Sequence, residues 1–277
     1  MIMEIKYGYQ PDPKHDNLLA LDKDFTTQLK PYLVSASSGD IDLSPFSTPS
    51  NQFNLSSCAG NSTADSVEIV SAIEESDRAA KEGRAPVPVP QLSRLFVYSM
   101  ARSIMDDDGS GHGQIDKDQG TFIRLCFDTL SRFGICDEII WPYDTTKVFV
   151  PPSIKAMRQA VGHRIHSYYR IKQTGNDRIP EVIAALRGRH PVVFGTQISK
   201  TFGNITAPYV CGIPKDTEGG HAQVIVGWVN GKFKVKNSWG SGWADGGFSY
   251  FTPDYIAWDM TQDIWVPTMG TVFAKVA

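Results

Sequence analysis

The spacing of apolar residues changes along this chain. Residues 1–50 are rich in proline, aspartate and serine and hold no period beyond a helical turn or two around Asp24–Leu33, so residues 1–40 read as an extended N-terminal arm. From Cys58 the positions Ala64, Val67, Val70 and Ile73 recur three apart, which predicts a helix running into the charged stretch ESDRAAKEGR. PVPVP then breaks the pattern. Beyond it Leu92, Leu95, Phe96, Ser99 and Met100 share one helical face, as do Phe122, Cys126, Phe127 and Leu130 in a segment closing on Gly134. RIPEVIAALRGR fits a further helix through Ile179, Val182, Ile183 and Leu186. After it PVVFGTQI, HAQVIVGWV, FKVKNSW and GGFSYF read as strands, and Asn230-Gly231 is a hairpin signal joining the middle two. Helices gathered ahead of strands predict an α+β protein with a helical lobe at about 50–145 and a sheet lobe at about 146–277.

Composition narrows the classes. The 277 residues suffice for one large domain or two lobes sharing an interface. An apolar fraction of 41% and a formal charge of -3 describe an ordinary globular chain, with no basic excess to draw nucleic acid. No apolar run reaches the roughly 18 residues that a membrane span needs. The opening MIMEIKYGYQPDPKHDN lacks the apolar core of a secretory signal, so the expectation is a cytoplasmic chain or one exported by a non-classical route. Four cysteines, Cys58, Cys126, Cys136 and Cys211, are too few and too irregularly spaced for a disulfide framework or a CxxC-type zinc site. A monomer with at least one free thiol is expected.

The hairpin carries candidate chemistry. Antiparallel pairing brings His221, at the start of one strand, beside Asn237, at the end of the next. An asparagine beside a histidine fixes its tautomer and leaves the other ring nitrogen free to act on a third group. Cys58 meets the demands on that group. It follows Ser56 and Ser57, both capping residue types, at a predicted helix start, where amide dipoles stabilise a thiolate. Gln52 lies six residues upstream, and its side-chain amide and the Cys58 backbone N–H could together donate to an oxyanion.

NQFNLSSCAGNS, GGHAQVIVGW and KVKNSWGSGW resemble the cysteine, histidine and asparagine blocks of the papain-like cysteine peptidases, and GTFIRLCFDTLSRFGICDEIIWPYD resembles the family's Gly-Gly segment, following helix and Tyr-Pro-Tyr. The likeness covers about residues 41–260 and is nearest to the bacterial and viral branch that lacks a long propeptide. It implies a two-lobed fold, with a helical N-terminal lobe, an antiparallel β-barrel-like C-terminal lobe and the cleft between them. It also implies peptide-bond hydrolysis through a thioester on Cys58, with His221 as acid and base, Asn237 orienting it, and Gln52 in the oxyanion hole. Gly120, Thr121 and Gly220 would contact substrate, and Trp239 would cover the His–Asn bond. No metal or cofactor is implied, and the partner is a peptide or protein substrate. The chain departs from the family at Leu55 and Ala59, where LSSCA replaces CGSCW and a structural disulfide is lost, and at Gly120-Thr121, which keeps one glycine of two. About forty residues precede Ile41-Asp42-Leu43, too few for the usual helical propeptide yet enough to lie along the cleft.

Other features have weaker claims. Cys126 falls on an apolar helix face, Cys136 reads as structural, and Cys211 stands ten residues before His221. His15, His112, His163, His166 and His190 are scattered, although His163 and His166 could bind a metal from one helix face. DDDGSGHGQIDKD, residues 106–118, resembles a calcium loop but has Lys117 where a bidentate Glu is needed, and reads as an acidic loop beside the groove. Trp228, Trp243 and Tyr250 read as aromatics of the sheet-lobe core. Two other functions compete: a catalytically silent peptide-binding protein on the same scaffold, and a thiol acyltransferase or deamidase.

Overall fold

The computed structural model describes residues 6–13, 22–33, 39–105 and 113–269. Its helices are α1 (Phe25–Gln28), α2 (Cys58–Glu82), α3 (Arg94–Ser103), α4 (Ile123–Arg132), α5 (Ile154–Ala160), α6 (Arg178–Arg187) and α7 (Pro253–Ala257). The strands are β1 (Tyr9–Gln10), β2 (Ile41–Asp42), β3 (Thr121–Phe122), β4 (Ser167–Arg170), β5 (Val192–Ile198), β6 (Val210–Cys211), β7 (Gly219–Val229), β8 (Lys232–Lys236), β9 (Phe248–Phe251) and β10 (Thr261–Thr268).

α2 is the axis of the molecule. Each residue from Cys58 to Val70 is buried, although Asn61, Ser62, Thr63, Asp65 and Ser66 are polar. Small side chains allow this, because neighbouring backbone can come close: a Cβ on Gly60 would stand 2.9 Å from Cβ of Tyr98 in α3. The helix ends at Gly83, whose φ of 66° is the left-handed C-cap conformation. α3 is N-capped by Ser93, whose Oγ accepts from the Phe96 amide.

The second half of the chain forms a sheet in the order β4-β10-β5-β7-β8-β9-β6, with β2 paired to β7 off this path. Asn230 and Gly231, with φ of 50° and 72°, make the β7–β8 turn that the sequence predicts. The sheet does not close into the expected barrel. β6, two residues long and parallel to β9, and β4, paired with β10, end the path without meeting. Trp243 is buried as expected, whereas Trp228 and Tyr250 are only half-buried.

The lobes meet across α2 and β8. Lys236 Nζ lies 2.7 Å from Asp65 Oδ2, with the two side chains 0% and 2% exposed, and Ser50 Oγ donates to the same carboxylate at 2.8 Å. This pair ties the end of β8, one residue before Asn237, to the helix that begins at Cys58.

The N-terminal residues are packed against this body. Phe25 and Leu29 are fully buried within the main core, and α1 is capped by Asp24 accepting from the Thr26 amide. β1 pairs in parallel with β3, Tyr9 opposite Thr121 and Gln10 opposite Phe122.

Candidate active site

Cys58 is the first residue of α2 and is fully buried. Ser57 holds the N-cap position but makes no side-chain cap, because its Oγ is already engaged by Tyr143 Oη at 2.5 Å and Asn61 Nδ2 at 2.9 Å. The amides at the helix start therefore stay free to face the cleft. The Cys58 sulfur lies within hydrogen-bonding reach of the backbone N–H groups of Ala222, Gly8, Ala59 and Cys58 itself. Those donors favour the thiolate, but burial outweighs them and pushes the thiol up to about 11.

His221 stands near the start of β7 and Asn237 directly follows β8. His221 Nε2 is 2.7 Å from Asn237 Oδ1, and that same oxygen accepts from the Ser238 amide at 2.8 Å. An oxygen already accepting must meet an N–H on the ring, so Nε2 carries the proton and Nδ1 is the free nitrogen. Nδ1 is buried and has no hydrogen-bond partner among the described residues. The Trp239 ring stacks on the imidazole at 4.8 Å and 28°. Burial pushes the imidazole down to about 4. With the cleft filled as it is here, burial holds both groups towards their neutral forms.

Gln52 is fixed from both ends. Its Oε1 accepts from Ser238 Oγ at 2.6 Å, which turns Nε2 towards the cleft, where it donates to the carbonyls of Leu55 at 2.8 Å and Lys6 at 3.2 Å. Ser238, which the sequence reading did not single out, thus couples Gln52 to Asn237. Its place between Asn237 and Trp239 was the available signal.

Residues 6–10 lie against every expected substrate contact. The Gly8 carbonyl accepts from the Thr121 amide at 2.9 Å. Close approach explains the glycines: a Cβ on Gly120 would stand 2.0 Å from the Gly8 oxygen, and one on Gly220 would stand 2.6 Å from the Tyr9 oxygen. Gly120 also has a φ of 89°. The Tyr7 ring lies 6.5 Å from both His221 and Trp239, and its hydroxyl donates to Glu218 at 2.7 Å. Tyr9 covers Gly195, whose Cβ would stand 2.1 Å from the phenol ring. Sequence reading did not single out Lys6, Tyr7, Gly8 and Tyr9, the arm residues that lie against these positions.

The remaining candidates fall away from this cluster. Cys126 is buried in α4, Cys136 packs in a smaller core with Leu95 and Phe96, and all four cysteines are free thiols. Cys211, on β6, lines a cavity with Lys200, Thr201 and Phe202. His163 lies 3.7 Å from Asp137, His166 is exposed, and half-buried His190 has Nδ1 3.1 Å from the Pro267 carbonyl. No group of three or more metal-ligating side chains occurs among the described residues. His15, His112 and the calcium-like positions Asp106, Asp108, Ser110 and Gly111 lie outside them. Among the described residues no helix is long and apolar enough to cross a membrane.

Fold and cleft together define a two-lobed α+β protein of papain type. The family model for the papain family cysteine proteases matches residues 111–267, more than half of the chain. An uncharacterized peptidase C1-like protein of Acanthamoeba polyphaga mimivirus is 32% identical over 287 residues, covering 94% of this chain and 86% of that protein. Among solved structures, xylellain, a cysteine protease from Xylella fastidiosa, superposes with a TM-score of 0.74 at 25% identity over 96% of each chain. The Carica candamarcensis cysteine protease CMS1MS2, solved in complex with E-64, has a TM-score of 0.58 at 20% identity, covering 85% of this chain and 100% of that one. The chain belongs to the papain family of cysteine peptidases, hydrolases that act on peptide bonds.

Proposed function

We propose that this chain cleaves peptide bonds with Cys58 as nucleophile, His221 as acid and base, Asn237 as orienting residue, and Gln52 with the Cys58 amide as oxyanion donors. In the open cleft water relieves the burial of Cys58 and His221, so the thiol proton passes to Nδ1 and forms a thiolate–imidazolium pair. The sulfur attacks the substrate carbonyl carbon, and its oxygen gathers charge against Gln52 Nε2 and the helix-start amide. The C–N bond then breaks, Nδ1–H protonates the departing amine, and a thioester remains. Water, deprotonated by Nδ1, attacks the thioester; the C–S bond breaks and the acid product leaves.

The observation that carries this reading is the bond between His221 Nε2 and Asn237 Oδ1, which leaves an unpartnered Nδ1 in the same cleft as Cys58. The arm supports it by analogy with a ligand. A carbonyl of residue 6 occupies the Gln52 donor and residue 8 pairs with Thr121, so extended backbone suits this groove. In this reading residues 6–10 cover the cleft, and the enzyme is latent until they leave. Incubation at pH 8 with a mixture of unblocked peptides, read by product mass, tests the reaction class. Hydrolysis produces paired fragments whose summed mass exceeds the parent by one water. An intact peptide with an amide turned to acid, or joined to an added amine, would contradict hydrolysis in favour of deamidation or transfer.

A further inference from the structure

The groups that hold the arm in the cleft form a buried charge cluster with an odd count. Asp12 and Asp22, from the N-terminal segments, and Asp263 of β10 face two guanidiniums, Arg124 of α4 and Arg170 of β4. The three carboxylates are 3% exposed and the guanidiniums 13%. Arg124 Nη2 donates to Asp22 at 2.8 Å, and its Nη1 pairs with the other oxygen of Asp22. Arg170 donates to Asp12 Oδ2 at 2.8 Å and also to Asp263. Asp263 in turn accepts from the Tyr9 hydroxyl at 2.6 Å and from the Asp12 amide at 2.8 Å. Both guanidiniums lie over the Trp265 ring, at 5.1 and 5.0 Å, which leaves them little room to turn elsewhere.

Three negative charges against two positive ones leave one unmatched in a largely buried site. The geometry shows where it falls. Asp22 has guanidinium donors on both oxygens and Asp263 has three donors, whereas Asp12 meets Arg124 and Arg170 through Oδ2 alone and its buried Oδ1 has no hydrogen-bond partner among the described residues. Among the described residues the ionisable groups facing Asp12 are Tyr9 on β1, Asp22, Arg124 and Cys126 of α4, Arg170 of β4 and Asp263 of β10. A cavity of about 460 Å³ opens beside it, with Lys172, Arg178 and Asp259 on its wall.

We propose that this cluster is a latch that binds the arm most tightly when Asp12 carries a proton, so that the cleft opens as the solution turns from acid to alkaline. The inference rests on the peptidase reading only for its consequence at Cys58. In the docked arm, burial and the neighbouring Asp263 carboxylate hold the Asp12 carboxyl well above the usual carboxylate range, against the pull of Arg124 and Arg170. A group that keeps its proton more firmly when docked than when free takes up a proton on docking. Docking is therefore strongest below the ordinary carboxylate range and weakens as pH rises through the raised value. A released segment 6–13 carries away Asp12, and Arg124 and Arg170 keep Asp22 and Asp263, two charges against two.

Hydrogen exchange on the full-length chain tests the latch without calling on catalysis. The amides of residues 6–10, Asp12 and Thr121 are followed at pH 5 and pH 8 in wild type and in Asp12→Asn, a neutral isostere of the protonated carboxyl. The two proteins are expected to be equally protected at pH 5, and wild type at pH 8 to exchange at least about tenfold faster than Asp12→Asn. Equal protection at both values, or weaker protection of Asp12→Asn at both, would overturn the proposal. Tyr9→Phe, which removes the donor to Asp263, is expected to loosen the segment at either pH; unchanged protection would remove Tyr9 from the latch. Labelling of Cys58 by an epoxide in the same samples separates the two claims. Exchange that responds to pH with no labelling keeps the latch and sinks the peptidase reading, and labelling with flat exchange does the reverse.

Discussion

Cys58→Ala is expected to lower peptide hydrolysis by about four orders of magnitude or more while the protein still folds. In the proposed mechanism the sulfur is the atom that bonds to the substrate, so no neighbour can replace it. The residual rate then reflects only groove binding and the oxyanion donors. Folding survives because α2 begins with amides that face the cleft rather than with a cap supplied by residue 58, and alanine is a good helix former. The large buried surface of α2 from Ala59 onward is untouched. Turnover of an unblocked peptide at pH 8, beside thermal melts of both proteins, checks this. Activity within about tenfold of wild type at an unchanged melting temperature would place the nucleophile elsewhere.

Gln52→Ala is expected to cost about 10²–10³-fold in kcat, equivalent to about 2.7–4 kcal/mol of barrier, with a much smaller change in KM. The reason is geometric. Nε2 is turned to the cleft by Ser238 Oγ, and the Lys6 carbonyl that it now meets marks where a reacting carbonyl oxygen can receive a hydrogen bond. Its donation strengthens as charge builds on that oxygen, so the loss falls on the transition state. The variant also strips a partner from Ser238 Oγ and from the Leu55 carbonyl, and a modest drop in stability is expected alongside. A rise in KM at constant kcat would show that Gln52 only holds substrate.

The histidine and asparagine were legible because a two-residue turn at Asn230-Gly231 sets the pairing around it, although a bulge between Ile225 and Gly227, which no local pattern marks, supplies the one-residue shift that puts residues 221 and 237 on one face. Cys58 was legible through its helix start. Ser57 was misleading in detail, since its hydroxyl serves Tyr143 and Asn61 in place of the helix end. Lys236 misled in another way. The alternation of FKVK puts Lys234 and Lys236 on one polar face, and Lys234 does reach Asp42 near the surface. Lys236 instead lies under α2 and pairs with Asp65, because the helix covers that end of the sheet. The arm was the least legible part. Tyr9 finds Thr121 and Asp263 over separations of more than a hundred residues, and nothing periodic marks contacts of that range. The open sheet has a similar cause, since the edge strands β4 and β6 meet or miss according to packing that no local pattern encodes.

In the proposed mechanism one thiol of four, Cys58, is made nucleophilic by His221. Reaction of the full-length protein at pH 8 with an epoxide of the E-64 type, followed by peptide mass mapping, tests it most directly. A single adduct on Cys58 and none on Cys126, Cys136 or Cys211 is expected, with labelling abolished by Cys58→Ala. No adduct at pH 8, or one on another cysteine, would contradict it.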